Sequence, residues 1–290
     1  MTPLQLGAVE FLNARPLVYG LDRDPRVSLR FDLPSRCADL LHAGQIDLGL
    51  IPSIEYLRAP GGPQAYRIVP DLAIASNGPV ASVALYTTRE MRDVRSVALD
   101  TSSRTSVALV RVVCAKLFRI EPRFEHRAPS LPAMLGDCDA ALVIGDIALF
   151  QQGGPVDTGA SGVKDVEKID LGELWTHTTG LPFVYAFWAG PAGAAVDAEA
   201  VALLQQARRL GCDHTDGIAE AFFPGDPARQ AVGDRYLRDN IKYSLGHEER
   251  AGLELFYRYA AETGVVAGAV PPRFYEPDSA PMPSSGHVTR

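Results

Sequence analysis

Short apolar runs, each followed by a polar turn and then by apolar residues at helical spacing, recur along the chain. LQLGAV (residues 4–9) leads into EFLN and then ARPLVYGL, while RSVALD (95–100) leads into TSSRT and then SVALVRVVCAKLF. Runs this short and this apolar predict strands buried on both faces, and the patterns after them predict helices. VSLRFDLPS (27–35) and EPRFEHRAPS (121–130) each read as a second strand ending in Pro-Ser. The helical stretches RCADLLHAG and LPAMLG come next, each expected to stop at a glycine, Gly44 or Gly136, in the position where a left-handed backbone is cheap. QIDLGLIPSI (45–54) and DCDAALVIGDI (137–147) close the two series. Asp47 then matches Asp139, and Leu50-Ile51 matches Leu142-Val143, at an offset of 92. The chain therefore reads as two βαβαβ units of roughly 50 residues each, a plausible length for two crossovers.

Right-handed crossovers put the carboxyl ends of parallel strands along one edge, where open α/β sheets bind ligands. In the first unit that edge carries Glu10 to Asn13 and Pro52-Ser53; in the second it carries Asp100 to Thr105 and Gly145-Asp146. Two such units predict two lobes facing each other across a cleft. The extended stretches SNGPVASVALYT (76–87) and TGLPFVYAFWAG (179–190) are expected to cross between them as two antiparallel hinge strands. The expected division is residues 1–84 and 187–275 for the first lobe and 85–186 for the second, with a disordered Pro/Ser-rich tail at 276–290. DAEAVALLQQARRLGCDH, ARQAVGDRYLRDNI and EERAGLELFYRYAAET have helical spacing and are expected on the first lobe, the last starting after Gly246 and His247. GGPVDTGASG (153–162) reads as a mobile surface loop.

Composition narrows the function classes. The formal charge of −7 argues against nucleic acid as the main partner, because phosphate binding needs a basic face. An anionic small molecule remains open, held by helix N-termini and a few arginines. Cys37, Cys114, Cys138 and Cys212 are far apart and read as free thiols of a reducing compartment. No window reaches the ~18 consecutive apolar residues of a membrane span. The start, MTPLQLGAVE, shows neither a basic n-region nor an apolar h-region, which leads to an expected cytoplasmic location. Metal-ligand spacings, GxGxxG and P-loop strings are missing, so no metal and no cofactor is expected.

The strings FLNARPLVYGL, GQIDLGLIPSIEYL, SNGPVASVAL, LDTSSRTSVALVRVV and AALVIGDIAL, taken in order, resemble the chorismate dehydratase family of the futalosine route to menaquinone. The resemblance runs over about residues 4 to 190 and fits the helical C-terminal part. It implies an α/β, two-lobed type-2 periplasmic-binding-protein-like fold. It also implies a hydro-lyase that converts chorismate to 3-[(1-carboxyvinyl)oxy]benzoate. Alternatives of the same fold are 1,4-dihydroxy-6-naphthoate synthase and a non-catalytic small-anion-binding protein.

The resemblance assigns catalytic positions to Asn13 and Ser82. From the residues alone, Asn13 reads equally as a cap on a helix starting near Ala14, with Pro16 in its first turn. Ser82 alone is an ordinary strand serine. Ser103, Arg104, Thr105 and Ser106 stand at a predicted helix start, where hydroxyls, free N–H groups and the helix dipole converge on an anion. Plain N-capping accounts for one of those hydroxyls. Arg15, Ser53, Gly145 and Asp146 complete the expected substrate-binding set, with capping the simpler role for Asp146. For the base that takes the C3 proton, the candidates are Glu10, Glu55, Asp146 and, as the leading reading, the substrate's own enolpyruvyl carboxylate.

Overall fold

A computed structural model of the chain describes residues 2–194 and 196–275. The tail expected at 276–290 lies outside the described residues. The first unit runs β1 (Leu4–Val9), β2 (Val27–Asp32), α1 (Pro34–His42) and β3 (Leu48–Pro52), followed by β4 (Tyr66–Ser76). The chain then enters β5 (Val83–Thr87), β6 (Ser96–Asp100), α2 (Arg104–Val113), β7 (Arg123–Arg127), α3 (Leu131–Asp137), β8 (Ala140–Ile144) and α4 (Gly145–Phe150). After β9 (Gly154–Asp157), β10 (Val163–Asp170) and α5 (Leu171–Thr179) it returns through β11 (Phe183–Pro191). The last helices are α6 (Ala198–Cys212), α7 (Thr215–Phe222), α8 (Pro227–Arg235) and α9 (His247–Glu262).

The strands form two sheets, ordered β2-β1-β3-β11-β4 and β7-β6-β8-β5-β10-β9. In each, the first strand of the unit sits between the second and third and is parallel to both. In each, an antiparallel strand that follows a crossing lies beside the third: β11 on β3, β5 on β8. The two matched aspartates explain part of the repeat. Asp47 Oδ2 accepts the Gln5 N–H at 2.7 Å, and Asp139 Oδ2 accepts the Arg95 and Ser96 N–H groups at 2.8 and 3.1 Å. Each pins the start of a central strand to the loop before the third strand. Strands β3, β5, β6 and β8 are buried at every position, as their unbroken apolar runs require.

Several expectations change. Gly44 does adopt φ +65°, but Gly136 does not take a positive φ, and α3 continues through it to Asp137. Residues 153–162 are a loop only in part: Gly154–Asp157 pairs antiparallel with β10, and 158–162 form the connecting loop, where Thr158 closes the hairpin with its N–H and Oγ1 on Gly162 O at 3.0 and 2.6 Å. The crossing is also not one continuous strand pair. β4 pairs with β11 in the first sheet, β5 belongs to the second, and a turn at Asn77–Ser82 separates β4 from β5. By sheet membership the change therefore falls before Val83 and before Phe183, a few residues from the expected 84 and 187. Cys37, Cys114 and Cys138 are buried free thiols and Cys212 an exposed one.

The C-terminal helices tie the halves together. α9 begins at Gly246, whose N–H donates to Glu249 Oε2 at 2.9 Å, and it packs on β11 and on α2 of the second sheet. Both α2 and α8 continue into a π-helical turn, at Cys114–Phe118 and Tyr236–Asn240. Such turns re-aim side chains at the cost of regular hydrogen bonding.

Candidate active site

Between the two sheets, the ends of β1, β3 and β8, the start of α2 and the Asn77–Ser82 turn enclose a cavity of about 60 Å³. Its polar wall consists of Asn13, Ser82, Ser103, Thr105, Ser106 and Tyr185; its apolar wall includes Phe11, Ile74, Val80 and Ile144. Gly145 also lines it.

Asn13 does not cap a helix. A 3-10 helix spans Leu12–Val18 with Phe11 at its cap position, so Asn13 falls inside the first turn. Its side chain instead lines the cavity on the side of Tyr236, whose hydroxyl lies 2.7 Å from Ser82 Oγ. Burial, partly opposed by Ser82 and Asn13, pushes the Tyr236 phenol well above its usual pKa and keeps it neutral.

Ser82 is presented by a strained turn. The Ser82 N–H donates to Val80 O at 2.8 Å, and Ala81 between them has φ +62°, a γ-turn that a non-glycine residue adopts at a cost of about 1–3 kcal/mol. Neighbouring groups hold it. Asp170 accepts the Val80 and Ala81 N–H groups at 3.1 and 2.6 Å while also capping α5. Lys168 Nζ donates to Ala81 O, Ala148 O and Gln151 O at 3.2, 2.7 and 3.0 Å. Ser82 O in turn accepts the Gly145 N–H at 2.8 Å. Gly145 has φ +68°, and a Cβ there would stand 3.0 Å from the Phe11 ring, so both backbone and space call for glycine.

At the start of α2, Ser103 is the N-cap: its Oγ accepts the Ser106 N–H at 3.2 Å. Thr105 Oγ1 accepts the Ile54 N–H at 3.3 Å and lies 3.4 Å from Ser53 Oγ, joining α2 to the loop after β3. Ser106 completes the wall.

Four expected binding residues do not line the cavity. Ser53 is wholly buried, with its hydroxyl donating to Val184 O at 2.8 Å. Arg104 faces a groove of about 780 Å³ on the other side of α2, where it pairs with Glu55 at 2.7 Å and Asp39 at 2.6 Å. Arg15 faces a separate groove of about 560 Å³. Its guanidinium lies over Phe31 at 4.2 Å and donates to Glu10 O at 3.0 Å, an apolar and carbonyl environment that holds it away from the cleft. Asp146 sits one residue beyond the wall. It is in the first turn of α4 rather than at the cap, which is Ile144. Burial raises its pKa to about 6, against the nearby Leu12 N–H and the Arg15 charge.

Of the carboxylate base candidates, none lines the cavity. Glu55 is buried between Arg58 and Arg104. Tyr185, on the wall, and Tyr236, behind it, are groups that the sequence left unseen: tyrosines in a strand or at helical spacing read as core, and the distance of Tyr236 in sequence from Ser82 hides the pairing.

A family model described as menaquinone biosynthesis matches residues 4–262. A chorismate dehydratase of Thermus thermophilus is 32% identical over 263 residues, covering 88% of this chain and 94% of that protein. Among solved structures, a Candida albicans protein exhibiting the generic periplasmic binding protein fold superposes with a TM-score of 0.63 at 11% identity, covering 96% of this chain and 99% of the other. The periplasmic aliphatic sulphonate binding protein of Escherichia coli gives 0.56 at 17% identity, covering 93% and 95%. The architecture is thus the two-lobed, type-2 periplasmic-binding-protein-like one, with the cavity where the lobes meet.

Proposed function

The chain belongs to the menaquinone biosynthesis family, and from that premise we propose that it is a chorismate dehydratase, a carbon–oxygen hydro-lyase acting in the cytoplasm. The observation that carries the reading is the 32% identity, across nearly the full length of both chains, to the Thermus thermophilus chorismate dehydratase. The site supports it in kind: neutral donors from both lobes line one cavity, as a doubly negative guest would require.

On this reading chorismate loses the proton at C3 and the hydroxide at C4, which leave together as water, and the ring becomes aromatic. The developing negative charge spreads through the diene into the ring carboxylate. Donors fixed on that carboxylate stabilise the transition state more than the ground state, each by up to ~3 kcal/mol. Ser106 and the N-terminus of α2 are suited to that task. Asn13 and Ser82 hold the leaving hydroxyl or the enolpyruvyl group. The cavity wall carries neither a carboxylate nor a histidine among the described residues, which favours the enolpyruvyl carboxylate as the acceptor of the C3 proton. The protein then contributes orientation and exclusion of water. A guest of ten carbons exceeds the space between the lobes as they stand, so binding requires them to adjust around it.

Purified protein mixed with chorismate tests the proposal by ultraviolet absorption, where the diene spectrum is expected to give way to that of a substituted benzoate. Binding with an unchanged spectrum would turn the reading to a small-anion-binding protein. Neither binding nor change would turn it to 1,4-dihydroxy-6-naphthoate synthase.

A further inference from the structure

Two lobes contribute to one buried pair of hydroxyl groups, Tyr236 and Ser82. Tyr236 follows α8, which packs on α7 and through it on the Leu12–Val18 helix of the first lobe, whereas Ser82 leads directly into β5 of the second sheet. Tyr236 is 2% exposed and Ser82 is 1% exposed, with their oxygens 2.7 Å apart. Tyr236 also opens the π-helical turn at the end of α8, a local irregularity of the kind that places a side chain where a regular helix would not. The phenol is not on the cavity wall, while its partner Ser82 is.

Proton counting orders this chain. A serine or tyrosine hydroxyl has one proton to donate. With the enolpyruvyl carboxylate as the group that faces Ser82, the guest oxygen accepts and cannot donate, so the Ser82 proton must point at the guest. Ser82 Oγ then takes its second hydrogen bond as an acceptor, and the Tyr236 hydroxyl is the donor beside it. With its proton committed to Ser82, Tyr236 Oη is left as an acceptor on its other side. Each bond in such a chain polarises the next, strengthening the last donor.

We propose that Tyr236 is a positioning residue that fixes Ser82 as a donor to the guest, through the relay Tyr236 Oη–H to Ser82 Oγ–H. The inference rests on the proposed anionic substrate and deepens the role of the same site. Because the relay draws on both lobes, it is complete only when they are closed. Ser82 therefore becomes a directed donor at the moment the guest is enclosed.

The test is a double-mutant cycle with Tyr236→Phe, Ser82→Ala and the pair, read by chorismate turnover. Tyr236→Phe is expected to lower kcat roughly 10- to 100-fold with KM changed by less than about threefold. In the Ser82→Ala background the same change is expected to cost less than about threefold, because the phenol acts only through Ser82. Turnover of Tyr236→Phe within about threefold of the unsubstituted protein, or losses that multiply in the pair, overturns the relay. Should the phenylalanine variant not fold, 3,5-difluorotyrosine at position 236 keeps the ring and makes the phenol ionise at lower pH. The alkaline limb of kcat must then move down with it, and an unchanged profile overturns the relay. Were the protein to bind chorismate without turning it over, the dehydratase reading would fail by itself. The same cycle would then be read by calorimetric affinity for chorismate, with the same non-additivity expected.

Discussion

Replacing Asp146 by asparagine separates charge from shape at the place where α4 meets the Leu12–Val18 helix. The wild-type carboxyl is raised from 3.8 to about 6, mainly by burial, with Glu10 adding to the rise and the Leu12 N–H and Arg15 opposing it. Two pKa units correspond to roughly 3 kcal/mol, and nearer 2 for a side chain only partly withdrawn from solvent. The sign follows from linkage. Below pH 3.8 the carboxyl is protonated whether the chain is folded or not, and its full relative stability is present. Above pH 6 it is ionised in both states, and folding bears the desolvation of the charge. Asparagine keeps the shape and still offers the Leu12 N–H an oxygen, but never bears that charge. Asp146→Asn is therefore expected to melt roughly 5 °C above wild type at pH 8, with the difference fading below pH 4. Thermal unfolding followed by circular dichroism between pH 3 and 8 reads this directly. Equal midpoints across the range, or a variant less stable at pH 8, would refute the desolvation argument. The same protein reports on the proton acceptor. Retained turnover excludes Asp146 as the base, whereas a drop of about 10³ in a folded variant would transfer that role to it from the substrate carboxylate.

Gly145→Ala is expected to lower the melting midpoint by several degrees and to reduce turnover, because a left-handed φ and a Cβ pressed on Phe11 both act at the cavity wall. A variant as stable and active as wild type would contradict the close fit described for that turn. Ala81→Gly removes a positive-φ penalty of about 1–2 kcal/mol but adds chain entropy, so its midpoint is expected at or slightly above that of wild type, with turnover lower as the turn aiming Ser82 loosens. A fall in both quantities would show that Ala81 is not strained.

The repeat made much of the fold legible. Once LQLGAV and RSVALD are read as buried strands, the parallel order of three strands in each sheet follows from crossover handedness, and the matched Asp47 and Asp139 prove to share one structural task. The hairpin at 154–170 was hidden because glycines mask the single buried Val156 of β9. Site residues divided by a different rule. Asn13, Ser82, Ser103, Thr105 and Ser106 sit where a strand end or helix start must face the cleft, so topology alone brings them together. Arg15 and Arg104 adjoin those positions but turn away, toward Phe31 and Glu55, and nothing in local spacing says which way a long side chain turns. Ser103 answers to both of its sequence readings at once, capping α2 and lining the cavity. Tyr236 depends on a contact spanning 154 positions and on a π-helical turn, neither of which leaves a periodic trace.

That the arginines turn outward bears on how the proposed reaction could work. A guanidinium inside a 60 Å³ enclosure would attract a dianion strongly, but it would do so before and during the reaction alike. Attraction felt equally in both states tightens binding without raising turnover. The enclosure instead offers hydroxyls, an amide and a helix N-terminus, whose worth depends on alignment with an oxygen and so on where charge accumulates. Arg104 serves elsewhere: it bridges α2 of the second lobe to Glu55 and Asp39 of the first, in a groove that shares Ser103 with the cavity. Full charges thus hold the lobes together from outside, and neutral dipoles are left to discriminate between ground and transition state within. On the proposed reading, specificity for a charge that moves would come from the absence of a fixed one beside it.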